Sequence, residues 1–167
     1  IDESKTYLVE TRLKPLMRES GMSSIGELIS SLRSAQRTAL LDQVVDAMTT
    51  NETSWMRDVH PFEVLIGEVI PSLVANGDGP IQIWSAACSS GQEPYGLAML
   101  IADRLPALRG RIRILAADIS LEMIEKARSG SYTQLEVNRG LAAPLLMRNF
   151  ERKGSEWVIR PEIRAMV

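Results

Sequence analysis

Hydrophobic and polar residues follow two different periods along this chain, and the change falls at one loop. Ahead of it, apolar residues recur at helical spacing. Ile25, Leu28, Ile29 and Leu32 obey the i, i+3, i+4, i+7 rule, with Ser24 and Glu27 placed to form a capping box before them. Leu40, Leu41, Val44, Val45 and Met48 make a second stripe. Phe62, Leu65, Ile66, Val69 and Ile70 make a third, with Pro61 in its first turn and Pro71 near its end. Residues 1 to about 75 are therefore predicted to be helical. Pro15 is expected to bend the first helix or end it early.

Asn76-Gly77-Asp78-Gly79-Pro80 signals a loop. After it the pattern predicts a strand over 81–86 and a helix over about 93–105. A second strand over 112–117 ends at Asp118, and a helix runs from near Ser120 to near Gly130. This βαβα order implies parallel strands joined by right-handed crossovers. A short helix over about 142–150 precedes Trp157-Val158-Ile159 and a last piece from Ile163 to Val167, and Lys153-Gly154-Ser155 is placed to turn between short antiparallel segments. The fold class is α/β: an N-terminal helical domain, then a Rossmann-like domain that is incomplete, because two parallel strands do not make a doubly wound sheet. The start at Ile1 points the same way, to a piece of a longer protein.

Composition narrows the function. The formal net charge is −2, from 19 basic and 21 acidic residues, which is not the footprint of a nucleic-acid binder. Cys88 is the single cysteine, so an intrachain disulfide and a cysteine-based metal cage are excluded, and a reducing cytoplasm is the expected setting. No apolar run approaches the roughly 18 residues needed to span a bilayer. His60 is the only histidine, so no metal site is expected. Cys88 reads as a small turn residue rather than a nucleophile, since no base lies beside it in the sequence.

Candidate chemistry gathers where the first predicted strand meets its helix. Small residues from Ser85 to Gly91 allow a backbone to approach a nucleotide closely. Glu93 then places an acid where a dinucleotide would place its pyrophosphate, and like charges in a tight turn repel. A ligand with a cationic end fits better; S-adenosylmethionine (AdoMet) carries an ammonium, a sulfonium and no phosphate. Asp118, 27 residues after Gly91 at the end of the second strand, is placed to accept both hydroxyls of a ribose, although such an acid also serves as a helix-start residue. The polar stretch Thr49 to Asp58 is either a plain linker or a lid. As a lid, Asn51 and Thr53 offer short polar groups, and Arg57 supplies a cation for a carboxylate opposite the anion of Glu93.

These segments together resemble the chemotaxis receptor methyltransferases, the CheR family. The resemblance runs nearly end to end. It rests on Thr49-Thr50-Asn51-Glu52-Thr53, Phe62-Glu63, Trp84 to Tyr95, Ala117-Asp118-Ile119-Ser120, Ala127 to Tyr132, and Arg139-Gly140-Leu141. It implies domains at 1–60 (helical recognition domain and linker) and 61–167 (partial AdoMet domain, with a β-subdomain starting at about 150). It also implies cofactor contacts from Asn51, Thr53, Arg57, Glu93 and Asp118, with Ala87 and Gly91 in the cofactor turn. The basic set Lys5, Arg12, Lys14 and Arg18 is implied to face the methylation helices of a receptor, although such a set on one helix is ordinarily a solvated face.

The implied reaction is methyl transfer from AdoMet to a receptor glutamate, leaving S-adenosylhomocysteine. No catalytic side chain is assigned, because a glutamate carboxylate is already ionised at neutral pH. Residues Arg152 to Arg160 look short for a hairpin that docks a receptor pentapeptide, so pentapeptide-independent recognition is expected. The residues leave open a non-catalytic AdoMet- or receptor-binding module, or a methyltransferase of another protein or small molecule. An NAD-type oxidoreductase is disfavoured by Glu93.

Overall fold

The computed structural model describes residues 6–34 and 39–167. Two compact units emerge from the contacts. One comprises the chain up to Thr50 with the short segment Ile119–Glu122, and the other comprises Asn51–Asp118 with Met123–Val167.

The first unit contains α1 (Thr6–Glu19), α2 (Ile25–Ser34) and α3 (Ala39–Met48). Leu13, Leu16 and Leu28 are its buried centre, and Val9, Leu32, Leu40, Val44 and Met48 pack around them. Pro15 neither bends α1 to a stop nor shortens it: the helix continues to Glu19. A proline inside a helix sacrifices one backbone bond at a cost of about 3 kcal/mol, and the burial of Leu13 and Leu16 on either side of it offsets that loss. The predicted capping box is half there. The Glu27 N–H donates to Ser24 Oγ (3.2 Å), but the Glu27 carboxylate reaches one residue further back, accepting from the Ser23 N–H at 2.7 Å and from Ser23 Oγ at 2.9 Å.

In the second unit, the third apolar stripe is one continuous helical run with a widened centre. α4 (Val59–Val64) passes into a π-helical turn (Leu65–Val69) and then α5 (Ile70–Ala75). Pro71 lies in the first turn of α5, near the end of the helical run as predicted, and does not break it. The π-turn explains why: widening the helix just before a proline relieves the clash with the preceding turn. It also shifts the buried face, which runs Phe62, Ile66, Ile70 at four-residue steps.

β1 (Ile81–Ala86) pairs in parallel with β2 (Ile112–Ala117), with Ile81 opposite Ile112 and Trp84 opposite Leu115. Between them α6 (Gln92–Arg104) is buried from Pro94 to Ile101, as expected of a helix that is apolar nearly all round. The opposite sheet face carries Trp84 and Leu115, 70% and 66% exposed. α7 (Leu121–Ser129) follows β2. The predicted βαβα order is thus present, as is the turn at Gly154 between antiparallel strands.

Besides a single 3-10 turn at Pro106–Leu108, two elements were not predicted. β3 (Ser131–Thr133) joins β5 (Glu156–Ile159), which also pairs with β4 (Phe150–Lys153), giving a three-stranded antiparallel sheet in the order β3-β5-β4. α8 (Gln134–Val137) starts at a complete capping box between Thr133 and Glu136. The Thr-x-x-Glu spacing is a readable signal, but no apolar period extends it. α9 (Ala143–Asn149) and α10 (Pro161–Arg164) complete the unit. No helix among the described residues is long and apolar enough to cross a membrane.

Candidate cofactor-binding site

The turn after β1 is built from left-handed backbone. Ala87, Ser89 and Gly91 have φ of 59°, 48° and 94°. For Ala87 and Ser89 this conformation costs roughly 1–2 kcal/mol each, so something must hold it. The Cys88 N–H donates to the Ala117 carbonyl (3.0 Å) at the end of β2. The Ser89 N–H donates to Asp118 Oδ2 (2.7 Å), and Ser89 Oγ donates to the Asn51 carbonyl (2.9 Å). The Gly91 N–H closes the turn on the Cys88 carbonyl (3.0 Å). Only glycine fits at 91. A Cβ there would lie 3.0 Å from Ala127 Cβ and from the Tyr132 hydroxyl, and 3.1 Å from the Tyr95 ring.

Glu93 stands in the first turn of α6, and its carboxylate accepts from Ser85 Oγ (2.7 Å). Ser85 is buried at the end of β1, so the strand aims the acid. A pocket of about 110 Å³ opens beside it, lined by Thr53, Arg57, Ala87, Cys88, Ser89 and Glu93 among others. The linker residues and the turn residues meet in this cavity, and Arg57 and Glu93 also line an adjoining one of about 280 Å³. On the other side of Cys88 lies a third pocket of about 370 Å³, whose lining includes Tyr95, Ala117, Asp118, Ala127 and Arg128. Cys88 lines both.

Of the residues singled out from the sequence, Thr53, Arg57, Ala87 and Glu93 line the smaller pocket, and Asp118 lines the larger. Asn51 reaches the turn through its carbonyl, and Gly91 acts through packing as the first-turn boundary of α6. Lys5 lies outside the described residues. Lys14 and Arg18 are exposed on α1. Arg12 is half-buried and turns inward: its guanidinium donates to the carbonyls of Met48 (2.8 Å) and Thr49 (3.2 Å) and to Thr50 Oγ1 (3.1 Å). It thereby satisfies the C-terminal end of α3. Burial, and then the nearby Asp118 carboxylate, push the Cys88 thiol up to about 11, so it stays protonated at neutral pH and is no nucleophile. Among the described residues no cluster of three or more histidine, cysteine or acidic side chains is arranged to hold a metal.

Sequence reasoning assigned no role to Ser85 and Ser89, which bond Glu93 and Asn51, or to Trp55 and Gly140, which lie against each other. Ser85 and Ser89 sit inside the conspicuous small-residue turn, so that turn was their signal. Trp55 and Gly140 are 85 positions apart, and no local pattern links them.

The donor set fits AdoMet. The smaller pocket has an anion, Glu93, and a cation, Arg57, in one lining, as the zwitterionic methionine end requires, with the small Ala87 beside them. The family model described as "CheR methyltransferase, SAM binding domain" matches residues 51–167, and "CheR methyltransferase, all-alpha domain" matches residues 1–49. AdoMet is accordingly the cofactor of this domain. Chemotaxis protein methyltransferase 1 of Pseudomonas aeruginosa is 46% identical over the whole of this chain, covering 63% of that protein. Chemotaxis protein methyltransferase Cher2 of Pseudomonas putida is 44% identical with the same coverage. Chemotaxis protein methyltransferase of Escherichia coli is 35% identical over 90% of this chain and 50% of its own length. The chain thus spans 63% of the length of the first two relatives. By the match of both family models along its length, the chain belongs to the CheR methyltransferase family.

Proposed function

We propose that this chain is the recognition and cofactor-binding part of a cytoplasmic, AdoMet-dependent methyltransferase that esterifies glutamate side chains of chemotaxis receptors. The observation that carries the reading is the single pocket in which Thr53 and Arg57 of the linker meet Ala87 and Glu93 of the turn. When bound, AdoMet supplies an electrophilic methyl group. Glu93 faces the ammonium and Arg57 the carboxylate of its methionine end. Asp118, which lines the larger pocket beside the turn, accepts the ribose hydroxyls. Asn51 and Thr53 close the linker over the ligand, and Gly91 lets the backbone approach it.

The chain's residues bind and orient; they need not move a proton. A glutamate side chain ordinarily titrates at about 4.3, so the receptor glutamate is ionised at neutral pH and attacks directly. Rate enhancement then comes from in-line placement and from stripping water off the carboxylate. On the first unit, Lys14 and Arg18 carry the attraction to acidic methylation helices, joined by Lys5 further up the sequence, whereas Arg12 acts mainly through α3. The domain division is kept at 1–60 and 61–167, with the linker in the recognition part. The β4–β5 hairpin has four-residue strands and a tight Gly154 turn, which favours recognition without a receptor pentapeptide.

Transfer of labelled methyl groups from AdoMet to a receptor cytoplasmic domain, by the full-length protein, tests the reading. Base-labile label on receptor glutamates supports it. Tight S-adenosylhomocysteine binding without any transfer would identify a non-catalytic module instead. Clear binding of a free receptor C-terminal pentapeptide would overturn the pentapeptide-independent mode.

A further inference from the structure

The linker that brings Thr53 and Arg57 to the pocket has no regular secondary structure from Thr50 to Asp58, yet Trp55 in its middle is only 1% exposed. The contacts that fix Trp55 come from residues 132–150. Its N–H donates to the Arg139 carbonyl (2.9 Å), and its indole Nε1–H donates to the Glu136 carbonyl (3.1 Å). Its ring meets Tyr132 edge-on at 5.0 Å and Phe150 at 5.6 Å. Gly140, at φ 98°, passes so close that a Cβ would lie 2.2 Å from the Trp55 carbonyl oxygen. Glu136 is itself fixed, by the Thr133 capping box and by Lys126 at 3.2 Å.

Arg57 is flanked by Met56 and Asp58, both left-handed at φ 51° and 52°. Non-glycine residues keep such angles only where their surroundings over-determine them. Trp55, next to Met56, supplies that constraint. Tyr132 reaches both sides of the pocket: its ring packs on Trp55, and its hydroxyl donates to the Ser90 carbonyl (2.7 Å) in the turn.

We propose that Trp55, Tyr132, Glu136 and Gly140 form a positioning clasp that holds Thr53 and Arg57 against the Ala87–Glu93 turn, so that residues 132–140 set cofactor affinity without forming the pocket wall. A linker already held in its bound shape avoids the ordering cost that a loose one incurs on binding. The inference takes its ligand from the AdoMet reading above and its clasp from geometry alone.

The test uses Gly140→Ala in the full-length protein with separate readouts: S-adenosylhomocysteine affinity by calorimetry, and the rate of tryptic cleavage after Arg57. The expected result is at least a tenfold weaker affinity and faster cleavage, with KM for AdoMet raised and kcat retained. Trp55→Phe keeps a ring between Tyr132 and Phe150 but loses the indole N–H bond to the Glu136 carbonyl, so its affinity should fall between those of wild type and Gly140→Ala. If Gly140→Ala does not fold, Trp55→Leu, which adds no clash, takes its place with the same expectations. A folded variant with wild-type affinity overturns the proposal, whatever its cleavage rate. A wild-type protein that binds no S-adenosylhomocysteine overturns the AdoMet reading instead, and the cleavage rates still decide whether the clasp exists.

Discussion

The two segments that meet at the pocket are held in opposite ways. The turn over 85–93 is held largely by its own neighbourhood: a strand before it, a helix after it, and the paired strand whose last carbonyl and following Asp118 take its amides. The linker over 51–58 is held by residues some 80 positions away, through the backbone and ring of Trp55. Both contain left-handed non-glycine residues, so both are strained. The difference teaches where fragility lies. The turn has flanking elements of its own besides the bonds from Asp118 and Tyr132, whereas the linker depends on the distant contacts of Trp55.

The sharpest way to break the linker arm is Trp55→Ala. Removing a fully buried tryptophan should cost about 3–5 kcal/mol, read from urea unfolding, and should free the linker with it. Gly91→Ala attacks the turn instead. The left-handed backbone contributes about 1–2 kcal/mol and the crowding against Ala127, Tyr132 and Tyr95 about 1–3; S-adenosylhomocysteine binding should vanish in the protein that remains folded. Thr133→Ala removes the α8 cap and should cost about 1 kcal/mol, with a detectable rise in cleavage after Arg57 but an intact turn. Wild-type cleavage in that variant would separate α8 from the linker.

The smallest effect separates the arms by pH. Burial opposes ionisation of Glu136, but hydrogen bonds from Thr133 and from Lys126 outweigh it and hold its carboxyl below the usual value. A lowered folded-state pKa means that this contribution is present above the unfolded value and is lost as pH falls through the folded one. The gap in melting temperature between wild type and Glu136→Gln should therefore be constant near neutrality and close below about pH 4.5. A gap that persists in acid would show that the carboxylate charge is irrelevant to the clasp.

Much of this was legible in the sequence. The parallel strands at 81–86 and 112–117 were readable because their apolar runs are bounded by loop and small-residue signals. The turn residues Ala87, Gly91 and Glu93 were readable because small residues and an acid stand together at a strand–helix junction. The continuation of α1 through Pro15 was not, because proline signals a local cost and burial outside the window decides whether it is met. β3 was invisible for a related reason: three residues carry no period, and they form a strand only because β5 lies alongside.

By itself the sequence determined the α/β class, the βαβα order of the parallel strands and helices, and the gathering of small residues and an acid at one strand–helix junction, since periodicity, turn chemistry and the sign of a charge are properties of neighbouring residues. The tertiary structure alone decided that Arg12 turns inward to α3, that Asp118 braces the turn, and that Trp55 is clasped by Glu136, Arg139 and Gly140. Those are contacts between residues distant in the chain. Their energies depend on a closeness, such as the fit of Gly140 against the Trp55 carbonyl, that exists only once the chain has folded.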